Sequence, residues 1–198
     1  MKRRVFIAIN LSESVKKRLR QYRERFDFLP VRWTKEASLH LTLVFIGYVS
    51  DEQMHKICQS ARQAASDFEP FYINFNRIML GPPAFAKASA GKPEKPPRMI
   101  WFGGEVNQKL VELKNKLGQA LLDCDSGLCY AESRLFRPHI TLARIKTDQW
   151  RRLENPPAVE ENFKTQVPVH SVEVMESDLK HDGAEYAVLE SCALGERS

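Results

Sequence analysis

His40-Leu41-Thr42-Leu43 is written a second time in the same chain as His139-Ile140-Thr141-Leu142. Side chains two apart on a β-strand point to one face, so each copy sets an imidazole beside a hydroxyl, about 6.5 Å along the strand. Leu41 and Leu43 then share the opposite face, as do Ile140 and Leu142. Each copy sits in an apolar run, Leu39 to Gly47 and Pro138 to Ile145, that is rich in β-branched residues and lacks helical period. Both runs read as core strands. One strand histidine alone is usually structural, but the chain holds only five His (40, 55, 139, 170, 181) and five Thr (34, 42, 141, 147, 165). At those frequencies two copies of His-apolar-Thr-apolar arise by chance on the order of 10⁻⁴. His40, Thr42, His139 and Thr141 are therefore the candidate site residues.

The rest of the composition narrows what such a site can do. With 198 residues, 43% hydrophobic and 28% charged, the chain can bury one substantial core. No run approaches the ~20 apolar residues of a membrane span. The opening Met1-Lys2-Arg3-Arg4-Val5-Phe6-Ile7-Ala8-Ile9 stops being apolar at Asn10, too early for a signal peptide, so a first strand and a cytoplasmic protein are expected. Cys58, Cys124, Cys129 and Cys192 contain no Cys-x-x-Cys and read as reduced thiols. Asp123-Cys124-Asp125-Ser126-Gly127 opens like a calcium loop but fails at Leu128 and Arg134, where Gly and Glu are required. There is no Gly-rich phosphate loop with Lys-Ser/Thr and no magnesium-holding carboxylate cluster. No metal and no cofactor are expected, and phosphate chemistry here has to be metal-free.

A net charge of +5 suits an anionic ligand. Much of it lies on a helix predicted from the Ser12 cap to about Phe28, with Val15, Leu19, Tyr22 and Phe26 on one face and Lys16, Lys17, Arg18, Arg20, Arg23 and Arg25 on the other. That basic face reads either as a solvated surface balanced by Glu13 and Glu24 or as a surface turned to RNA. Val31 to Thr34 is short and extended, and Gly47 closes the first motif strand. Ser50 caps a helix over about Asp51 to Phe68. Phe71 to Leu80 is a strand whose phase slips between Phe75 and Ile78, a sign of a bulge. Residues 81–98, nearly all Pro, Gly, Ala, Ser and Lys, predict a mobile loop. Met99 to Phe102 resumes as a strand, Asn107 to Cys124 as a helix, Thr147 to Leu153 as a short helix, Val167 to Met175 as one strand, and Ala184 to Leu194 as its hairpin partner. Each half then has a strand, a long helix and a His-x-Thr strand. The expected fold is α+β: two pseudo-symmetric lobes of antiparallel sheet with outer helices, one His-x-Thr strand from each facing a central cleft, in a single bilobal domain over 1–198.

At these residues the chain resembles the 2H phosphoesterases, a superfamily named for two His-x-Thr/Ser-x signatures. Arg4-Val5-Phe6-Ile7-Ala8-Ile9, Leu39 to Gly47, Arg137-Pro138-His139-Ile140-Thr141-Leu142-Ala143-Arg144, and the late Met175-Glu176-Ser177 with Tyr186 are similar to the RNA 2′,3′-cyclic phosphodiesterase branch, once called 2′-5′ RNA ligases. The resemblance covers nearly the whole chain, with the 81–98 segment as a departure. It implies that an RNA or oligonucleotide ending in a 2′,3′-cyclic phosphate is hydrolysed to a 2′-phosphate, with His40 as proton donor and His139 as proton acceptor. Thr42, Thr141 and Arg144 would hold the phosphate.

The chemistry agrees with that implication. Opening a cyclic phosphate requires a water deprotonated on one side of phosphorus and a leaving ribose oxygen protonated on the other. Two imidazoles with pKa near 6.5 supply both without metal. Threonine hydroxyls can donate to the non-bridging oxygens. Arg144, five residues beyond His139, reads equally as a site residue and as a solvated strand flank. Two other functions use the same residues: 2′-5′ ligation, the microscopic reverse, and a non-catalytic RNA-binding module, which would bind without opening a cyclic phosphate. A monomer with no membrane partner is expected.

Overall fold

The computed structural model describes residues 2–81, 97–123, 136–180 and 183–196. The segment predicted as a mobile loop lies, but for its two ends, outside the described residues, as do Cys124 and Cys129. The strands are β1 (Arg3–Asn10), β2 (Val31–Trp33), β3 (His40–Val49), β4 (Phe71–Gly81), β5 (Met99–Gly104), β6 (His139–Ile145), β7 (Glu161–Val169), β8 (Ser171–Lys180) and β9 (Gly183–Ala193). The helices are α1 (Glu13–Arg25), α2 (Asp51–Ser66), α3 (Gln108–Asp123) and the single turn α4 (Thr147–Trp150).

The fold is α+β and antiparallel, and its two halves are parts of one sheet. Strand order is β7-β4-β5-β6-β3-β1-β8-β9, with β2 added alongside β6. The motif strands β3 and β6 are neighbours at the middle, paired at Leu41 and Ile140. Strand β2 takes up the far end of β6, from Val31 opposite Ile145 to Trp33 opposite Ala143. The sheet cannot be flat. Strands β7 and β8 stand six steps apart in the sheet, about 29 Å at 4.8 Å per step. Yet only His170 separates Val169 from Ser171 in the chain, a span of at most about 7 Å. The sheet therefore curls until the end of β7 meets the start of β8, with an inner and an outer face.

The outer face carries the main core. Leu41, Leu43, Ile140, Leu142, Val5, Ile7 and Ile9 join Ile100, Phe102, Ile73 and Phe75 with Val15, Leu19 and Tyr22 of α1, Ile57, Ala61 and Ala65 of α2, and Leu110, Leu113 and Leu117 of α3 in one buried cluster. Capping is as predicted for α2, where Ser50 and Gln53 form a reciprocal capping box. Ser12 precedes α1 with extended dihedrals but its hydroxyl meets Ser14 instead of a backbone N–H. Helix α1 stops at Arg25, earlier than Phe28. Pro30 disfavours helical geometry in the residue before it, and Leu29 is drawn into the core while Phe28 stays 74% exposed.

The predicted strand from Val167 to Met175 is two strands. Val167 and Val169 are buried on odd positions, whereas Val172 and Val174 are buried on even ones, and His170 is where the phase changes. Gly47 does not close β3 but lies inside it at φ +99°, a conformation that L side chains rarely adopt. There the pairing with β1 slips from Phe6 opposite Phe45 to Val5 opposite Gly47, a bulge that lets β3 run on to Val49. The bulge expected in β4 is present between Phe75 and Arg77.

Candidate active site

Both motif strands carry the same irregularity at the same place. Along β1 and β3 the pairs are Asn10 with His40 and Ala8 with Thr42, after which the register skips to Ile7 with Val44. Along β5 and β6 they are Gly103 with His139 and Trp101 with Thr141, followed by Ile100 with Ala143. Leu43 and Leu142 are thus the extra residues of two equivalent bulges. Each bulge sends two successive residues to the core, so the inner face shows His40, Thr42 and then Phe45 on β3, and His139, Thr141 and then Arg144 on β6. Burial follows suit: Leu43, Val44, Leu142 and Ala143 are buried, whereas Phe45 and Arg144 are exposed. Continuing the register of Leu41 and Ile140 by one residue each way sets His40 across from Thr141 and Thr42 across from His139. The structure thus brings the four predicted residues together at the centre of the inner face, each histidine diagonal to the other.

The ring orientations are equally paired. His40 Nδ1 lies 2.8 Å from the Ser38 carbonyl, and His139 Nδ1 lies 2.8 Å from the Arg137 carbonyl. A carbonyl only accepts, so both Nδ1 atoms carry their hydrogen and the proton that comes and goes is on Nε2 in each ring. His40 Nε2 lies 3.1 Å from Thr42 Oγ1. Aromatic rings fix both imidazoles: Phe6 and Tyr186 each stand 5.0 Å from His40, and Trp101 stacks on His139 at 4.0 Å and 29°. Burial holds His40 below the ordinary histidine pKa; its bond to the Ser38 carbonyl works the other way, and the charge of His139 lowers it further. The two imidazoles are therefore near enough to sense each other's charge.

A family model described as LigT-like phosphoesterase matches residues 9–101. A Thermotoga maritima protein named RNA 2′,3′-cyclic phosphodiesterase is 29% identical over 201 residues, covering 96% of this chain and 94% of that protein. One of the same name from Aeropyrum pernix is 30% identical over 155 residues, covering 77% of each. The chain is a LigT-like phosphoesterase, of the 2H superfamily. The Thermus thermophilus protein TT0787 shares the fold of this LigT-like phosphoesterase at a TM-score of 0.79 and 24% identity, covering 98% of this chain and 100% of that one. E. coli LigT complexed with 3′-AMP does so at 0.73 and 22%, covering 99% and 100%.

Arg144 of this LigT-like phosphoesterase stands on the inner face beyond Thr141, with no ion pair among the described residues. The rings around the histidines are what the sequence reading missed. Trp101 was within reach of it, since alternation of Met99, Ile100, Trp101 and Phe102 sets Trp101 on the face away from Ile100 and Phe102. The basic face of α1 behaves as a solvated surface. Arg20 pairs with Glu36, Arg25 with Glu161, Lys16 with Glu13 and Arg23 with Asp27, on the outer side of the sheet. The hollow beneath it is lined by Arg20, Trp33, Thr34, Leu39 and Leu142 and by neither histidine.

Proposed function

We propose that this enzyme hydrolyses the 2′,3′-cyclic phosphate end of RNA, the substrate in the name of its relatives, and that it leaves a 2′-phosphate. The observation that carries the reading is the twofold placement of the histidines, whose Nδ1 atoms are both tied to backbone carbonyls, so that in each ring Nε2 is the nitrogen that gains and loses a proton. With the phosphate between them, His139 Nε2 takes a proton from water as its oxygen bonds to phosphorus. The bond from phosphorus to O3′ breaks in line, and His40 Nε2–H protonates that oxygen. Exchange with solvent resets both rings. Thr42 and Thr141 donate to the non-bridging oxygens, and Arg144 adds positive charge from the same face. Both proton transfers run through imidazoles, and no step calls on a metal.

Burial of His40 fits the donor role. A cation destabilised by desolvation is a stronger acid, and the bound phosphate anion supplies the charge that loads its proton. The reverse assignment draws on the same observation, because His40 is biased toward neutrality before substrate arrives. A substrate with a p-nitrophenolate leaving group, which needs no protonation, separates the two. His40→Ala is expected to recover much of its lost rate on that substrate and His139→Ala is not; recovery by His139→Ala reverses the roles. The function itself is tested by incubating a short oligonucleotide ending in a 2′,3′-cyclic phosphate with the protein in EDTA. The expected product is heavier by one water and carries a 2′-phosphate. Binding without turnover would favour a recognition module instead, and a 3′-phosphate product would overturn the assignment of O3′ as the leaving oxygen.

A further inference from the structure

The inner face does not end at the catalytic quartet. On β1 and β3 the inward-facing pairs continue from Asn10 with His40 and Ala8 with Thr42 to Phe6 with Phe45 and Arg4 with Tyr48. Two bulges keep β3 in step, so that positions 40, 42, 45 and 48 all face inward. The side chains form a continuous row. Phe6 stands 5.0 Å from His40 and is parallel to Phe45 at 5.9 Å, and the Arg4 guanidinium lies 4.9 Å over the Phe45 ring. Phe6 is buried, but Phe45 is 52% exposed and Tyr48 63% exposed. Arg4 has no carboxylate partner among the described residues, although Arg3 beside it has two, Asp51 and Glu176. Two exposed rings flanking an unneutralised guanidinium do little for folding. They are what a sequence-tolerant single-strand site requires, with rings for bases and a cation for the backbone.

We propose that Phe45, Tyr48 and Arg4 form a track for the RNA nucleotides upstream of the reacting end. The inference rests on the function proposed above, since His40 as donor to O3′ puts the ribose, and hence the chain attached to it, on the β1–β3 side. Along the β1 backbone the Phe6–Phe45 pair lies about 13 Å from the His40 pair and the Arg4–Tyr48 pair about 20 Å away, at ~3.3 Å per residue, while the Phe6 ring leans back to the His40 ring. At about 3.4 Å of rise per stacked nucleotide, a row that runs on to Tyr48 holds several nucleotides, more than a mononucleotide can cover. The corresponding row on β6 has Arg144 where β3 has Phe45 and ends at Ile145, so the track belongs to one side only.

Comparison of a 2′,3′-cyclic mononucleotide with an oligoadenylate bearing the same end tests this. The unaltered enzyme is expected to favour the oligonucleotide in kcat/KM. Tyr48→Ala and Phe45→Leu should each cut the oligonucleotide's kcat/KM about tenfold, the size of one lost base stack. The mononucleotide's value should stay within about twofold for these exposed positions. Arg4→Gln should reduce the slope of log KM against log salt for the oligonucleotide by about 0.7, one single-strand phosphate contact. Equal losses on both substrates, no preference in the unaltered enzyme, or an unchanged salt slope would each overturn the track. Turnover of neither substrate would instead overturn the proposed function.

Discussion

Gly81 lies at the end of β4, and its missing side chain is what seats the ring that orients His139. A Cβ built on Gly81 would fall within the Trp101 indole, 2.6 Å from Cε3 and 2.8 Å from Cγ and closer still to Cδ2. Carbon atoms rest at roughly 3.5–4.0 Å, so Gly81→Ala drives the indole aside by about 1 Å. Behind the indole is the His139 ring at 4.0 Å, which leaves no slack in that direction. The ring stack must therefore shift as a unit or come apart. Overpacking of this kind costs about 1–3 kcal/mol, or roughly 2–12 °C in Tm at about 2–4 °C per kcal/mol for a chain of this size. Displacing a proton-transfer group by about 1 Å lowers kcat/KM on the order of 10²-fold. Thermal unfolding followed by tryptophan fluorescence, and initial rates with a cyclic mononucleotide, read the two effects separately. Gly81→Ala with Trp101→Leu should regain most of the Tm, because the clash is gone, yet stay slow, because His139 has lost its stacked partner. If Gly81→Ala alone is as stable and as fast as the parent, Trp101 does not hold His139 in place.

His40→Ala and His139→Ala should each lower turnover by a factor on the order of 10²–10⁴, and the double variant should be scarcely slower than the slower single, since the two act as one unit; losses that multiply in the double variant would contradict this. Tyr186→Ala opens the His40 pocket to water and should move the His40 pKa, followed by NMR titration, up toward 6.5, because burial is the main cause of its depression. The same cause fixes the sign for stability. Between the lowered native value and 6.5 the unfolded chain binds more protons, so His40 makes the parent less stable as pH falls through that window, and Tyr186→Ala should weaken this acid sensitivity. A His40 pKa that stays put or falls would show that burial by Tyr186 is not responsible. Tyr22→Phe removes the buried hydrogen bond from the phenol to the Val159 carbonyl at 2.5 Å and should cost about 1–3 kcal/mol in urea unfolding with no change in kcat/KM; unchanged stability would mean that water satisfies the carbonyl.

How far the sequence could be read depended on which contacts were local. The His-x-Thr strands were legible because period-two alternation and the repeat are both written in the chain. The α2 capping box and the β4 bulge were legible for the same reason, one from Ser50 and Gln53, the other from a slip in apolar phase. Phe45 and Arg144 were harder. In strict alternation Phe45 would share the face of Leu41 and Leu43, and only an extra residue at Leu43 turns it inward. That residue is hidden in an unbroken apolar run, and the pairing across from β1 decides it. Arg20 and Arg25 find Glu36 and Glu161, partners 16 and 136 residues away, which no local balance of charge could reveal. At His170 the signal was present but outweighed. The change of buried valines from odd to even positions marks the corner, while the alternating composition on either side reads as one strand.

That corner has a consequence for motion. Many enzymes that work at a cleft between two halves swing them apart to admit substrate, using a hinge at one edge. Here the halves are joined twice, along the seam at Leu41 and Ile140 and again where Val169 and Ser171 flank a single residue at the opposite side of the curl. Two such joints on opposite sides of the curl resist a wide swing of one half away from the other, although β7 and β9 remain edge strands. The separation of His40 from His139 is then expected to change little when a phosphate arrives. Little binding energy would then be drawn off into domain closure, and the width of the opening, rather than the rate of a hinge, would select what comes in.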